Sequence, residues 1–311
     1  MRRSGGLAAV VVALVAAPLA HASEPLPDKN VRFLSLKVNA KREALVTYVR
    51  SNGAIRRALA WGAVNARHPD ANVPQVRFRY DFSGGWGKYR RLHWRTFRNV
   101  CRRYAGPFVP GLVAGCTAPD GSNWALQAWV RLEPLLGFAP WLPQHTALEL
   151  HLSHWSGPLP ELEVSPNWTH GFSAQGLFGR LTYLGRPVHG FRTTREGNPR
   201  DRYVRNVYID TFNSAYGPGW KRESGSVTHR PTGTFCHSFV PQQPFPGYPD
   251  RRTRPPAHGQ RHRVTVMGPG VTPVISWEGP GLNERDKPAD GEFNRLFDRV
   301  MAGDRTCAGE R

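Results

Sequence analysis

Carboxylates are scarce in this chain: 23 Asp and Glu stand against 42 Lys and Arg, for a formal net charge of +19. Lysine is scarce too, limited to Lys29, Lys37, Lys41, Lys88, Lys221 and Lys287, so arginine carries the charge. Charge informs on solubility and encounter rather than on fold. It reads either as a solvated cationic surface from an arginine-rich coding bias, or as affinity for anionic polymers of a cell envelope. Long hydrophobic runs are missing beyond the first residues: no later stretch has the ~20 apolar residues that a transmembrane helix needs. Several chemical signatures are missing as well. Without G-x-S-x-G there is no nucleophile elbow, and neither Ser214 nor Ser226 sits at a strand-to-helix turn. Without C-x-x-C a four-cysteine zinc site lacks its usual ligand pair. His258 and His262 have the helical ligand interval, but they lie in a Pro/Gly-rich stretch without the glutamate of H-E-x-x-H. The glycines of "SGGWGKY" (83–89) lack the spacing and the Ser/Thr of a phosphate loop. No metal site and no cofactor is expected.

What is present begins with "MRRSGGLAAVVVALVAAPLAHASEPLP", in which Arg2 and Arg3 precede an apolar run and a small-x-small site ends at Ala22. That pattern predicts a signal peptide over 1–22, general secretion, and a soluble protein that is secreted or periplasmic. No cysteine adjoins the expected cleavage point, which argues against a lipid anchor there. The rest is long enough for two domains of roughly 150 residues each. Four cysteines remain, Cys101, Cys116, Cys236 and Cys307. An even number in an exported chain reads as two disulfides, with three pairings open. Proximity favours Cys101 with Cys116, stabilising by about 3 kcal/mol, and Cys236 with Cys307, by about 4 kcal/mol.

Most of the chain alternates apolar and polar residues, the period of a half-buried strand. Strands are predicted at 31–38, 44–50, 56–64, 76–82, 123–132, 147–155 and 161–164. Turn signals such as Ser51-Asn52-Gly53 separate them. A second set follows at 202–212, 225–230, 232–240, 261–268 and 272–277. In "RRLHWRTFRNVCRRY" (90–104) Trp94, Phe97, Val100, Cys101 and Tyr104 recur at helical spacing, which predicts a short amphipathic helix. "DGEFNRLFDRVMAGD" predicts a terminal helix with Asp290 as N-cap and Gly303 as stop. The expected fold is therefore mainly β: two β-sandwich domains, 23–165 and 166–311, with one short helix in the first half and one at the C-terminus.

Between 177 and 191, "LFGRLTYLGRPVHGF" sets two alternating runs around a Gly-Arg-Pro turn. Gly179, Leu181, Thr182, Gly185, Pro187, Val188, Gly190 and Phe191 resemble the first hairpin of the carboxypeptidase-regulatory-like, transthyretin-like β-sandwich. Thr232-Gly233-Thr234-Phe235 with Phe239 looks like that family's later turn and strand, and "HRVTVMGPG" like its closing strand. The resemblance covers about 177–270. It implies a structural or binding role for this half and supplies no catalytic residues.

Candidates for chemistry are few. Glu161 and Glu163 lie two apart on a strand, hence on one face, as the pair of a glycosidase would, or as any solvent-facing edge would. Asp210, near Arg205, is a third acid for such a site, or a turn cap. His151 and His154 point to opposite faces of a strand, and His229 and His237 would meet only across a hairpin. "NWT" at Asn167 is a glycosylation sequon, with meaning only outside bacteria. Binding signals are richer. Trp86, Trp155, Trp168 and Trp220 adjoin turn residues and would offer stacking faces to sugar rings, or would cap core ends. Arg91, Arg95, Arg98 and Arg102, interleaved with aromatics, would grip an anionic polymer; nucleic acid is not the partner expected for an exported chain. The proline-rich run 241–260 would serve a protein partner. The expectation is a non-catalytic binding or structural protein of the envelope or extracellular space, with a polysaccharide or anionic polymer as partner. The alternative is a secreted glycan hydrolase using Glu161, Glu163 or Asp210.

Overall fold

The structure, a computed structural model, describes residues 24–62, 78–132, 146–170, 174–187, 205–210, 220–221, 225–227, 234–241, 261–267, 274–280 and 287–300. The first half runs β1 (Glu24–Pro25), β2 (Arg32–Val38), β3 (Ala44–Val49), β4 (Ile55–Trp61), β5 (Arg79–Asp81), α1 (Trp86–Tyr89), β6 (Arg102–Arg103), β7 (Leu112–Thr117), β8 (Asn123–Leu132) and β9 (Thr146–Trp155). The second runs β10 (Glu161–His170), β11 (Ala174–Tyr183), β12 (Arg186–Pro187), β13 (Arg205–Asp210), β14 (Trp220–Lys221), β15 (Gly225–Val227), β16 (Thr234–Pro241), β17 (Arg261–Met267), β18 (Ile275–Pro280) and α2 (Lys287–Val300). The protein is mainly β with few helices, as the alternation predicts. Its strands form four antiparallel sheets, ordered β2-β3-β4-β5, β1-β9-β8-β7-β6, β10-β11-β16-β14 with β12 on β11, and β15-β13-β17-β18. No helix among the described residues is long and apolar enough to cross a membrane.

The first two sheets share one apolar core. Val46, Tyr48, Ala58 and Ala60 from one sheet cluster with Trp124, Leu126, Leu150 and Leu152 from the other. Period-2 alternation places these side chains on one face of each sheet, and burying a large one stabilises by about 1.5–3 kcal/mol. The segment after β1 stitches the two sheets together. Leu26 and Asn30 donate their backbone N–H groups to the carbonyls of Leu150 and Leu148 on β9. Between them Asp28 accepts the Tyr48 hydroxyl at 2.8 Å and Arg50 Nε at 3.0 Å. The buried phenol is thereby satisfied, where an orphaned one would cost about 1–3 kcal/mol.

A disulfide joins Cys101 to Cys116, with Cα atoms 5.4 Å apart. This is the pairing that proximity favours. It fastens the strand pair β6–β7 beside the register Arg103↔Cys116. Cys307 lies outside the described residues.

The helix expected over 90–104 is not formed. Only α1, just upstream, and a 3-10 turn at His93–Arg95 are helical there. Backbone groups in this stretch bond across to other segments instead: Trp94 N–H to the Gly84 carbonyl at 3.2 Å and Val100 N–H to the Val38 carbonyl at 2.8 Å. His, Trp, Thr, Phe, Asn, Val and Cys are middling helix formers, so bonds to the sheet outweigh local propensity. The terminal helix does form, but it starts at Lys287, which moves Asp290 from the cap into the first turn.

In the second half, β11 and β12 pair across Leu184 and Gly185, whose φ values of 51° and 72° are those of a two-residue hairpin turn. Pro187 sits in the short partner strand, where it needs no ladder donor. Gly179 faces Phe235 across β11 and β16, and any Cβ there would overlap the buried Phe235 ring. Strand β10 passes through the expected divide at 165/166 and belongs with β11. The two halves touch where Arg263 on β17 donates to the Val130 carbonyl on β8 at 2.6 Å.

Candidate functional site

From Phe82 to Pro119 the chain contains no carboxylate, while Lys88, Arg90, Arg91, Arg95, Arg98, Arg102 and Arg103 are all cations. The first part of this stretch lies over the outer face of the β2–β5 sheet, where Leu45, Leu59 and Phe97 cluster with Trp61, Tyr89 and Trp94. Odd positions of β3 point this way, so Glu43, just before the strand, is drawn under the same cover.

Two acids pin the segment. Asp81, at the end of β5, accepts the Ser83 N–H and the Lys88 N–H, each at 2.9 Å. Ser83 Oγ accepts the Gly87 N–H at 3.0 Å, which completes the start of α1. Burial alone would raise the Asp81 pKa, but the Ser83 hydroxyl and the surrounding amides outweigh it and hold the carboxyl below its usual value. Glu43 is 3% exposed. It receives Lys88 Nζ, the Tyr89 hydroxyl and Asn39 Nδ2. Burial again pushes its pKa up, and those hydrogen bonds with the Lys88 charge bring it below the ordinary carboxylate value. Tyr89 moves the opposite way, raised by burial and by the Glu43 carboxylate it bonds. Lys88 also stands 4.0 Å from the Trp61 ring centroid.

The glycines of "SGGWGKY" act sterically rather than on phosphate. Gly84 and Gly85 have φ of 72° and 114°. A Cβ on Gly85 would overlap the Cβ of His93, and one on Gly84 would come within 2.9 Å of Arg57 Cβ. Their absence of side chains lets the 3-10 turn fold back so that Tyr89 stacks on His93 at 4.3 Å. Burial lowers the His93 pKa, with the charges of Arg91, Lys41 and Lys88 assisting against Glu43.

Above these anchors the cations face water. Arg91, Arg95 and Arg98 are exposed, and none of them forms an ion pair with a carboxylate among the described residues. Elsewhere in the same half, Arg42 pairs with Asp120 and Arg50 with Asp28. Trp86, the first residue of α1, is 53% exposed. Trp155 overturns its expectation as a stacking face: it is 0% exposed, packed on Ala125 and Val109 with Tyr104 edge-on at 6.1 Å. The reason is that both faces of the β8–β9 sheet are covered, so a turn-adjacent tryptophan becomes core. The side chains of Trp168 and Trp220 lie outside the described residues. Sequence reasoning missed Arg57 and Glu43, and took Trp94 only as part of a helix face. The run Ser83-Gly84-Gly85 was the signal that the backbone folds tightly here.

Among the described residues, the remaining candidates do not assemble a reaction centre. Glu161 and Glu163 are exposed on β10 opposite Thr182 and Arg180. The Asp210 side chain lies outside the described residues. Ser122, His154 and Asp120 touch, but Ser122 Oγ gives its proton to Asp120 Oδ1 at 2.6 Å. His154 Nε2 lies 2.9 Å from Ser122 Oγ, whose proton goes to Asp120, so the histidine donates there instead of acting as its base. His151 and His154 stack on Trp129 and Trp124 respectively, on opposite faces. His258 and His229 lie outside the described residues, as does the His237 side chain. No group of three metal-ligating side chains occurs among the described residues. No protein-family model, no curated protein and no solved structure matches this chain.

Proposed function

We propose that this is an exported, non-catalytic binding protein of the envelope or extracellular space that holds a polysaccharide or other anionic polymer on the cationic face of its first half. The carrying observation is three exposed arginines, Arg91, Arg95 and Arg98, which pair with no carboxylate among the described residues, on a segment whose start is held by Asp81 and Glu43. Cations held close together repel unless an anion joins them, and a polymer bringing several negative groups releases counterions as it binds. Anchoring keeps the arginines in place before binding, which lowers the ordering cost of association. Exposed Trp86 adds an aromatic face of the kind that stacks on sugar rings.

The fuller reading has two β-sandwich domains that divide just before β10. The second is a transthyretin-like module whose hairpin at 184–185 and Gly179–Phe235 contact support it, and it serves as a structural appendage. Mature protein begins at Ser23. The test is retention on immobilised acidic polysaccharide compared with a neutral one, for wild type and for the triple variant Arg91→Gln, Arg95→Gln, Arg98→Gln. Wild type is expected to elute at higher salt than the triple variant. Identical elution, or equal retention on the neutral matrix, overturns the proposal.

A further inference from the structure

Resting on that reading, we infer that the recognition unit of the surface is the cluster of Arg57, Trp94 and Arg95, and that it takes the negative group of an acidic glycan. Arg57 comes from β4 and Trp94 from the 3-10 turn, and they meet around Gly84. The Arg57 guanidinium carbon lies 3.9 Å from the Trp94 ring centroid, and that of Arg95 lies 5.4 Å from the same centroid. This meeting is built into the backbone. A Cβ at Gly84 would crowd both Arg57 Cβ, at 2.9 Å, and Trp94 Cδ1, at 3.1 Å. Trp94 N–H bonds the Gly84 carbonyl at 3.2 Å, and Arg57 bridges to Ser83.

Stacking covers one face of the Arg57 guanidinium and leaves its edge, where the N–H groups lie, for a partner. Arg57 and Trp94 are half-buried, so they are held in place while staying reachable. No carboxylate among the described residues pairs with Arg57 or Arg95. The two guanidinium groups are no farther apart than the sum of their distances to the shared ring, which lies within the roughly 10 Å screening length of 0.1 M salt. Each therefore feels the other's charge, and an anion that reaches both is stabilised by each. The planar fork suits a phosphate or a carboxylate equally. A sugar ring attached to that anion has an exposed aromatic face on the same segment in Trp86, two residues past Gly84 and 53% exposed. The chemistry in common is a sugar that carries a negative charge. Bases of nucleic acid would also stack, but the export signal expected at the N-terminus favours the glycan.

The experiment is a binding titration of full-length mature protein with three probes: a poly(glycerol phosphate) fragment carrying sugars, a polygalacturonate fragment of matched charge, and single-stranded DNA of matched charge. Variants are Arg57→Gln, Trp94→Ala and Trp94→Phe, with Arg42→Gln as a remote control and circular dichroism to confirm folding. Loss of one charge-assisted contact predicts a drop of about tenfold or more in affinity for Arg57→Gln. Trp94→Ala should fall likewise, Trp94→Phe should recover part of it, and Arg42→Gln should match wild type. If Trp94→Ala does not fold, Arg57→Gln decides. A preference between the two glycan probes identifies phosphate or uronate as the group held. Wild-type binding to acidic glycan that survives Arg57→Gln unchanged overturns this cluster while leaving the broader surface reading intact. No wild-type binding to either glycan overturns both, and tighter binding to the DNA overturns the partner class.

Discussion

Nε2 of His93 lies 3.8 Å from Oε2 of Glu43, and neither ring nitrogen of this buried histidine has a hydrogen-bond partner. The ring is packed between Tyr89 and Phe97, and burial favours its neutral form. Its pKa in the folded state is below the ordinary imidazole value. A histidine with a lowered folded pKa contributes stability above its unfolded pKa, and that contribution is lost as pH falls below about 6.5. His262, 0% exposed and pushed down to about 4 by burial, adds a loss of the same sign. Thermal melts from pH 7 to pH 5 should therefore show a falling Tm. Replacing His93 by Gln should flatten the part of the slope it causes and leave the His262 part. A Tm profile unchanged by His93→Gln counts against this account.

Glu43 is the keystone of the anchored segment, since Lys88, Tyr89 and Asn39 all converge on it. Changing Glu43 to Ala leaves the partly exposed Lys88 ammonium and the half-buried Tyr89 phenol without their shared acceptor, a loss of about 1–3 kcal/mol. Glu43→Gln should cost less because the hydrogen-bond geometry persists. Denaturant midpoints of the two variants check the order. Equal stability of Glu43→Ala and wild type would show that the pair is not held in solution.

Gly85→Ala tests the packing of the 3-10 turn. A side chain at its left-handed φ costs on the order of 1–3 kcal/mol, and overlap with His93 adds to that. The expected result is a lowered Tm together with weakened retention on acidic polysaccharide, because the arginines no longer sit where Asp81 and Glu43 place them.

The Cys101–Cys116 bridge closes a loop of separation 15, worth about 3 kcal/mol. Cys101→Ser with Cys116→Ser should lower Tm by roughly 6–12 °C if the unit melts as one domain of ordinary size. Calorimetry against the wild type reads this directly.

Salt dependence reports how many arginines engage. The slope of log affinity against log salt should flatten by roughly one for each arginine removed from the binding face. The series Arg91→Gln, Arg95→Gln and Arg98→Gln, singly and together, gives that count. A slope that stays constant through the series would place the ligand elsewhere.

Strands were the most legible feature, because period 2 is imposed locally by the pleat. Strand β8 occupies Asn123–Leu132, the segment that alternation alone picks out, and β2, β9 and β17 differ from expectation by a residue at one end. The stretch 90–104 was illegible for a related reason. Aromatics spaced every three or four residues also suit a coil that dips to a sheet at Phe97 and Tyr104, and nothing local separates the two. Glu43 was invisible as an anchor, since its partners Lys88 and Tyr89 are far along the chain.

By itself, the sequence determined the mainly β architecture, a tight turn at Gly185, which the structure places at Leu184 and Gly185 rather than at Gly185-Arg186-Pro187, and a long basic stretch containing two cysteines 15 residues apart. These follow from backbone periodicity, turn geometry and short-range proximity. Tertiary structure decided which aromatics meet water and which acids hold the basic stretch in place. Trp155 is core and Trp86 is surface although both adjoin turn residues. The difference lies in what covers each face of a sheet, and that covering comes from segments distant in sequence.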